Sequence, residues 1–208
     1  MADEMTVACL VLAGGRSRRM RQDKRALHYK GQSFLNRALA TAQSVGDEVW
    51  LSVGSFREYV ELRSELSQKA NVAVDRIPNA GPMSALAGAL PQLNADAALL
   101  LSVDYPLLSA AFLRGMISRY APSEPGPRVL LPESDGHWHV TCALYATALS
   151  PALVRAVNAG ERSLRRWIAT LPDHDVAVVD EATWRRWDAR DVLANVNTPA
   201  DYRQLFER

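Results

Sequence analysis

The sequence is poor in the features that mark disulfide-rich, membrane-spanning or nucleic-acid-coating proteins. It has only two cysteines, and Cys9 lies within an apolar run, where a free thiol packs as a small hydrophobe, so we expect no disulfide. Apolar runs such as residues 97–101 are far shorter than the ~20 residues that a membrane span requires. The formal net charge is only +1, which argues against wholesale binding of nucleic acid.

What remains is an ordinary globular composition. The 208 residues are 48% hydrophobic and 23% charged, which is close to the average for folded domains and far from disordered or collagen-like chains. This length suits one well-buried core better than two, so we expect a single domain over residues 1–208. The acidic start, Met1-Ala-Asp-Glu-Met5, does not resemble a secretory leader, and we therefore expect a cytoplasmic protein.

Strand-like and helix-like segments alternate through the first half of the chain. Apolar runs predict four strands, at residues 7–12, 48–53, 72–75 and 97–103. Ser33 is placed to cap a first helix, a second helix is expected around residues 59–66, and Pro82 opens a third over residues 83–90. Alternation of this kind predicts right-handed crossovers and a parallel sheet.

After about residue 120 the pattern changes. A loop rich in proline precedes strand-like runs at residues 128–132 and 138–145, and helices are expected at residues 147–158, at residues 164–169 and after Thr198. This half favours a mixed sheet. We therefore predict a single-domain, three-layer, Rossmann-like α/β fold, with a mostly parallel mixed sheet and helices on both faces.

The most informative segment joins the first predicted strand to a glycine pair and a basic cluster. Its sequence is Ala13-Gly14-Gly15-Arg16-Ser17-Arg18-Arg19-Met20-Arg21-Gln22-Asp23-Lys24-Arg25. Glycines let backbone N–H groups approach an anion, and arginine and lysine neutralise its charge. No Gly-Lys-Ser/Thr follows, as a P-loop needs, and no third glycine completes a dinucleotide-binding fingerprint. The segment predicts a phosphate-binding loop of another kind.

Acidic residues follow two of the other predicted strands. Asp75 ends the third apolar run, and Asp104 follows the fourth, two residues before Pro106. Ligands of open α/β sheets bind at the carboxyl ends of the strands. An aspartate beside a phosphate-binding loop is well placed to hold Mg²⁺ against phosphate oxygens. We therefore expect Asp104 to be a metal ligand and Mg²⁺ to be the cofactor.

Taken in order, these residues resemble the molybdenum cofactor guanylyltransferase family of nucleotidyltransferases. The family signature is Leu-Ala-Gly-Gly, one residue, Ser or Ala, one residue, Arg-Met-Gly, one or two residues, then Asp-Lys. The segment from Leu12 to Lys24 matches it, except that Arg21 replaces the last glycine. Four later elements match in order: Asp75 before Gly81-Pro82-Met83, Asp104-Tyr105-Pro106, His139 to Tyr145, and Asn195-Val196-Asn197-Thr198-Pro199. Ser84-Ala85 replaces the family's Ala-Gly. The resemblance covers most of the chain.

The resemblance implies two adjoining sites. The nucleotide site would comprise Leu12, Ala13, Gly14, Gly15, Lys24, Ser52, Asp75 and Asp104. Arg19 and Lys24 would hold the triphosphate and, with Asp104, would be the catalytic residues, while Asp75 would recognise the base or the ribose. The acceptor site would comprise His139, Asn195 and Asn197. Residues 1–110 would thus form a nucleotide-binding half and residues 111–208 an acceptor-binding half.

The resemblance also implies a reaction. The terminal phosphate of molybdopterin, with or without molybdenum, would attack the α-phosphorus of GTP, release pyrophosphate and form a guanine dinucleotide cofactor. Leu-Ala-Gly-Gly with Asp-Lys is similar to the guanine-selective branch of this class, whereas the cytidine-selective branch usually has Leu-Ala-Ala-Gly, so GTP is favoured. Transient contact with molybdoenzyme maturation proteins is a further expectation, and contact with nucleic acid or membrane is not.

Several alternatives stay open on the sequence alone. A related nucleotidyltransferase would use CTP, or would transfer to a sugar phosphate. Arg21 in place of glycine also permits a nucleotide-binding accessory protein with weak turnover. His139 could be purely structural, and Asn195 and Asn197 could be turn and cap residues. The spacing of His137 and His139 would suit a metal, but no third ligand lies near them in the sequence.

Overall fold

The structure, a computed structural model, describes residues 5–13, 24–78, 80–120 and 126–207. The strands in these ranges are β1 (Val7–Leu12), β2 (His28–Tyr29), β3 (Gln32–Ser33), β4 (Glu48–Val53), β5 (Asn71–Val74), β6 (Ala97–Ser102), β7 (Val129–Ser134), β8 (His137–Trp138), β9 (Cys142–Ala146) and β10 (Val176–Val179). The α-helices are α1 (Phe34–Gln43), α2 (Phe56–Leu62), α3 (Pro82–Ala89), α4 (Ala110–Arg119), α5 (Ser150–Asn158), α6 (Leu164–Ile168), α7 (Glu181–Trp184) and α8 (Pro199–Phe206).

One mixed sheet runs through both halves of the chain. Among the described strands its order is β10-β7-β9-β6-β1-β4-β5, with β8 paired to β7. Strands β6, β1, β4 and β5 are parallel neighbours, as the alternation of strands and helices predicted. Strand β9 is antiparallel to β6 and β7, and β10 is parallel to β7. Strands β2 and β3 form a separate antiparallel pair.

Helices cover both faces of the sheet. In β1, Val7, Cys9 and Val11 pack into a core shared with α1, α2 and α4, whereas Leu10 and Leu12 pack into a core shared with α3, α5 and α6. Because successive side chains of a strand point to opposite faces, a strand covered on both sides is apolar throughout. Both β1 and β6 are buried along their whole length. The predicted three-layer α/β fold with a mixed, mostly parallel sheet is confirmed.

The second helix begins earlier than the sequence predicted. It starts at Phe56 rather than near residue 59, because the Ser55 side chain accepts a hydrogen bond from the Glu58 amide and caps the helix there. The helix expected over residues 147–158 begins with a 3₁₀ turn, and α5 itself begins at Ser150. These corrections move element ends without changing the order of the elements.

The expected strand over residues 138–145 is instead two strands. Strands β8 and β9 are separated by a turn in which the Cys142 amide donates a 2.9 Å hydrogen bond to the His139 carbonyl. The His139 amide donates to the Pro132 carbonyl at 2.9 Å, so this residue lies beside β7 outside the regular ladder. The sequence analysis also did not predict α4, β10 or the β2–β3 pair.

A close approach between a helix and a strand helps to fix the end of β5. A side-chain carbon at Gly88 in α3 would lie 2.3 Å from the Val74 carbonyl oxygen, so only glycine lets the helix pack this tightly. The contact holds α3 against the strand that leads into Asp75.

Both cysteines, Cys9 and Cys142, are buried and free, as expected from the sequence. Burial raises the pKa of the Cys9 thiol to about 12, so this group packs as a neutral apolar side chain. In the described part of the chain, no helix has the length and apolarity needed to cross a membrane.

Candidate active site

The carboxyl ends of β6, β1, β4 and β5 lie along one edge of the sheet. From β1 the chain first builds outward through β4 and β5, and then returns to add β6 on the other side of β1. In open α/β sheets, ligands bind in the crevice where the strand order reverses in this way. Ala13 follows β1 at this point, and Asp104 lies two residues after the end of β6.

Lys24 and Asp104 are in direct contact at this crevice. The Lys24 Nζ atom lies 3.0 Å from Oδ1 of Asp104, and it donates a second hydrogen bond of 2.8 Å to Oδ1 of Asn197. The Lys24 side chain is only 11% exposed, and that of Asp104 is 27% exposed. The structure thus brings together three residues that the sequence analysis chose for the nucleotide and acceptor sites, and it places one cation between two oxygen acceptors.

The segment before α8 is fixed against this pair. The Val196 amide donates a 2.9 Å hydrogen bond to the Asp104 carbonyl. Oδ2 of Asp201 accepts hydrogen bonds of 2.8 Å from the amides of Asn197 and Thr198, and the Thr198 side chain completes a capping box. These hydrogen bonds, that of the Asn197 amide above all, hold the pKa of Asp201 below its usual value. Asp201 therefore positions the asparagine that Lys24 contacts.

Asp75 is a buried carboxyl group after β5. It is 7% exposed, and its Oδ1 accepts a 2.7 Å hydrogen bond from the Ser52 hydroxyl. Burial raises the pKa of Asp75 to about 6; the Ser52 hydrogen bond opposes this rise, and the negative charge of Glu58 adds to it. Ser52 is fully buried. Its hydroxyl group therefore orients Asp75, which is mostly ionised above pH 7.

An ion pair that the sequence analysis did not single out lies beside Lys24. The Arg25 guanidinium contacts Glu58 on α2, and its Nη1 also donates a 3.1 Å hydrogen bond to the Ala13 carbonyl. The other carboxylate oxygen of Glu58 accepts a 2.7 Å hydrogen bond from the Gly54 amide. Ser and Glu three residues apart form a capping-box pattern. This pattern is the sequence signal that could have identified Glu58. In the structure, however, the Glu58 carboxylate accepts a hydrogen bond from the Gly54 amide and not from the amide of the cap residue, Ser55.

His139 lies beside Tyr105, the residue after Asp104. The Tyr105 hydroxyl is 3.2 Å from Nδ1 of His139, and the Ser134 hydroxyl is 2.7 Å from Nε2. Burial lowers the pKa of His139, and neighbouring His137 lowers it further, so the ring is neutral at pH 7. Both ring nitrogens have partners within the protein, which makes His139 a support for Tyr105. Its contact with an acceptor stays a prediction.

The remaining predicted residues differ in where they lie. Gly14, Gly15, Arg19 and Arg21 are outside the described residues. Leu12 is the last residue of β1 and is buried, and the Ala13 amide donates to the Ser52 carbonyl at 3.0 Å. Asn195 is exposed. It lines a cavity of about 350 Å³ together with Asp191, Ala194, Asp201, Gln204 and Leu205.

Asp104 fits a magnesium ion that shares its coordination with a substrate. Within the described residues, no three His, Cys, Asp or Glu side chains are grouped to hold a metal by themselves. Magnesium is usually bound by one or two carboxylates together with substrate phosphates and waters. A single carboxylate at the crevice, partly exposed, is a donor of this kind. The donors that the described residues offer are therefore compatible with Mg²⁺ when substrate phosphates complete its coordination.

Known structures share this architecture. The molybdopterin-guanine dinucleotide biosynthesis protein A of Archaeoglobus fulgidus superposes with a TM-score of 0.80 at 21% identity, covering 96% of this chain and 97% of that chain. A Mycobacterium tuberculosis protein crystallised in complex with manganese superposes with a TM-score of 0.67 at 21% identity, covering 97% and 98% of the two chains. At this level of identity the similarity defines the fold.

Fold and sequence relationship together place the chain in the class of nucleotidyltransferases. The chain belongs to the MobA-like NTP transferase domain family, which matches residues 9–176. It is 34% identical to the probable molybdenum cofactor guanylyltransferase of Synechococcus elongatus, over 97% of this chain and 98% of that protein. It is 32% identical to the molybdenum cofactor guanylyltransferase of Pseudomonas syringae pv. tomato, over 91% and 88% of the two chains.

Proposed function

We propose that this nucleotidyltransferase transfers GMP from GTP to the terminal phosphate of molybdopterin, with or without molybdenum, and forms the guanine dinucleotide cofactor. Full-length relatives with this activity in their names support the proposal. The observation in this chain that carries it is the contact of Lys24 with Asp104 and Asn197 at the strand-order reversal. It joins the predicted nucleotide and acceptor halves, residues 1–110 and 111–208, at one point.

The proposed reaction needs positioning and charge neutralisation more than covalent help from the protein. A terminal phosphate oxygen of molybdopterin forms a bond to the α-phosphorus of GTP, the bond from that phosphorus to the oxygen bridging to the β-phosphorus breaks, and pyrophosphate leaves. Fixed cations stabilise the charge that moves onto the phosphate oxygens. The Lys24 ammonium group is fixed by two oxygen partners, and Arg19 is the second cation that we propose for the triphosphate.

Asp75 is the residue that we propose for recognition of guanine. An ionised carboxylate accepts hydrogen bonds only, and guanine presents two adjacent donors, the ring N1–H and the 2-amino group. Cytosine and adenine do not offer this pair on one edge. The Ser52 hydroxyl holds the Asp75 carboxylate in place. Ser52 is therefore proposed to contribute to nucleotide binding indirectly, by orienting Asp75. The backbone of Leu12, Ala13, Gly14 and Gly15 is proposed to approach the nucleotide.

Asp104 and the nucleotide phosphates would together hold Mg²⁺. When bound, the ion supplies Lewis-acid neutralisation of phosphate charge. A manganese complex of a structural relative supports a divalent cation in this fold. The Asp104 carbonyl accepts a hydrogen bond from the Val196 amide, and the Asp104 amide donates one to the Ser102 hydroxyl. These two bonds fix the backbone that carries the proposed metal-binding carboxylate.

On the acceptor side, we propose that exposed Asn195 contacts the pterin substrate from the cavity that it lines. His139 acts through Tyr105, and Asn197 acts through Lys24. Transient contact with molybdoenzyme maturation proteins stays a prediction.

The melting temperature tests the nucleotide assignment. A ligand that binds only the folded state stabilises it by mass action, so GTP with Mg²⁺ should raise the melting temperature more than CTP or ATP does at equal concentration. A larger rise with CTP would support the cytidine alternative and contradict this proposal.

A further inference from the structure

The Arg25–Glu58 ion pair ties together the ends of two neighbouring strands. Arg25 binds the carbonyl of Ala13, directly after β1, and Glu58 binds the amide of Gly54, directly after β4. The two side chains are 19% and 23% exposed, so water screens their interaction only in part. Four groups from three separate segments of the chain are thus joined at the carboxyl edge of the sheet.

The same ends carry the groups proposed to meet the nucleotide. The Ala13 amide donates to the Ser52 carbonyl at 3.0 Å, and the Ser52 hydroxyl donates to Asp75 at 2.7 Å. A movement of Arg25 would therefore displace Ala13 and, through the hydrogen bonds of Ala13, would also displace Ser52 and Asp75. A second coupling is electrostatic, because the charge of Glu58 acts on the Asp75 carboxyl group.

We propose that Arg25 and Glu58 are positioning residues of the nucleotide subsite: their ion pair fixes the ends of β1 and β4 and sets the electrostatic environment of Asp75. This inference rests on the proposed function, in which Asp75 receives the base. Neither residue needs to touch the nucleotide. The proposal gives a role to Arg25, which directly follows the predicted Asp-Lys element, and to Glu58, which lies 33 residues further along the chain.

Among the residues that the structure describes, few other charged side chains lie on the elements packed around Asp75. Helix α3, which packs beside it, contains no charged residue, and β4 contributes only the neutral Ser52 hydroxyl. The next residue, Arg76, donates a 3.1 Å hydrogen bond to Asn158. Of the charged groups described near Asp75, Arg76 is directed to Asn158, and the one that shifts the pKa of Asp75 is Glu58 on α2, which is paired with Arg25.

This arrangement predicts opposite pH effects for the two members of one pair. Glu58→Gln removes the negative charge, so the acid limb of kcat/KM for GTP should move below pH 6. Arg25→Met leaves Glu58 without its cation, so that limb should move above pH 6. At pH 7.5, Arg25→Met should also raise the GTP dissociation constant at least about 10-fold, the effect of losing one charged hydrogen bond between a displaced Asp75 carboxylate and the base.

The experiment measures GTP binding by calorimetry and kcat/KM from pH 5 to 8.5 for both variants and for the double variant Arg25→Met/Glu58→Gln. The matched control is Glu61→Gln, which removes the acid of an exposed ion pair with Arg57 on the same helix. Circular dichroism confirms folding. The acid limb of the double variant should return towards that of the wild type. If one single variant fails to fold, the double variant and the remaining single variant together test the proposal.

Opposite shifts for the two single variants, with an unchanged Glu61→Gln profile, support the proposal. An acid limb that moves the same way or not at all, with GTP binding as in the control, overturns it while leaving the guanylyltransferase assignment intact. Failure of the wild-type protein to bind GTP would instead overturn the proposed function.

Discussion

The ammonium group of Lys24 lies 3.0 Å from the carboxylate of Asp104 and 2.8 Å from the side-chain oxygen of Asn197, which is 173 positions further along the chain. Two acceptors and a largely buried setting fix this cation before any substrate arrives. Because fixed charges need little reorganisation during a reaction, such a group can stabilise charge that develops on a phosphate.

The first prediction concerns this contact. Lys24→Ala and Asp104→Ala should each lower turnover at least ~100-fold, which corresponds to about 2.7 kcal/mol in the barrier. The measurement is steady-state pyrophosphate release under saturating GTP and molybdopterin. Lys69→Ala is the control, since this exposed lysine precedes β5 at the opposite edge of the sheet. Near-normal turnover in either test variant would remove that residue from the mechanism.

The second prediction links Asp75 to stability. The pKa of Asp75 is about 6 in the folded protein, and its ordinary value is 3.8. Because burial favours the protonated carboxyl group, its contribution to the free energy of unfolding is fully present below pH 3.8 and is lost as the pH rises through 6. Asp75→Asn should therefore stabilise the protein at pH 8, by up to about 3 kcal/mol, while weakening GTP binding. Urea unfolding from pH 4 to 8 measures the difference.

Asp96→Asn should show the opposite sign. Hydrogen bonds from Thr6 hold the pKa of Asp96 below its ordinary value, so its ionised form stabilises the folded protein above that value. This variant should lose stability at pH 8 relative to the wild type. A stabilisation by Asp75→Asn that does not vary with pH would contradict the burial argument.

The third prediction concerns the support of Asn197. Asp201→Ala removes the acceptor of two backbone hydrogen bonds, so we expect a loss of about 1 kcal/mol in the free energy of unfolding and a fall of about 10-fold in kcat, the effect of weakening one charged hydrogen bond. Asp180→Ala removes the cap of α7 and should cost similar stability with no change in kcat. Equal kcat values for the two variants would show that the role of Asp201 is purely structural.

The fourth prediction separates two roles of His139. If it supports Tyr105, then His139→Phe and Tyr105→Phe should both lower kcat by roughly 3-fold to 10-fold, the effect of losing one neutral hydrogen bond. The KM for molybdopterin should not change in either variant. A rise in that KM in the His139 variant alone would establish direct contact with the acceptor.

The sequence was sufficient for the elements whose signal is local. Strands β1 and β4 have the predicted bounds because a short segment rich in apolar residues is itself the signal; β1 is buried throughout, and β4 is buried over its last three residues. Helix α4 was missed because Gly115 weakens its helical pattern. A side-chain carbon there would lie 2.2 Å from the Trp187 ring, so packing between distant segments selects glycine against helix propensity.

The candidate site was predictable as a set of residues but not as a set of contacts. Strand ends identified Asp75 and Asp104, because a parallel sheet gathers ligand-binding groups there. The hydrogen bond from Lys24 to Asn197 depends on how the segment before α8 packs beside Asp104 and on how α8 packs against β2 and α1, which no short pattern encodes. The Arg25–Glu58 pair was missed for the same reason, since its partners meet only when β1 and β4 lie side by side.

The most direct test of the account is pyrophosphate release from GTP, CTP and ATP, measured with Mg²⁺ in the presence and absence of molybdopterin. We predict release that depends on molybdopterin and is fastest with GTP. Preference for CTP, or tight binding of GTP without any release, would contradict the proposal that this nucleotidyltransferase is a molybdenum cofactor guanylyltransferase.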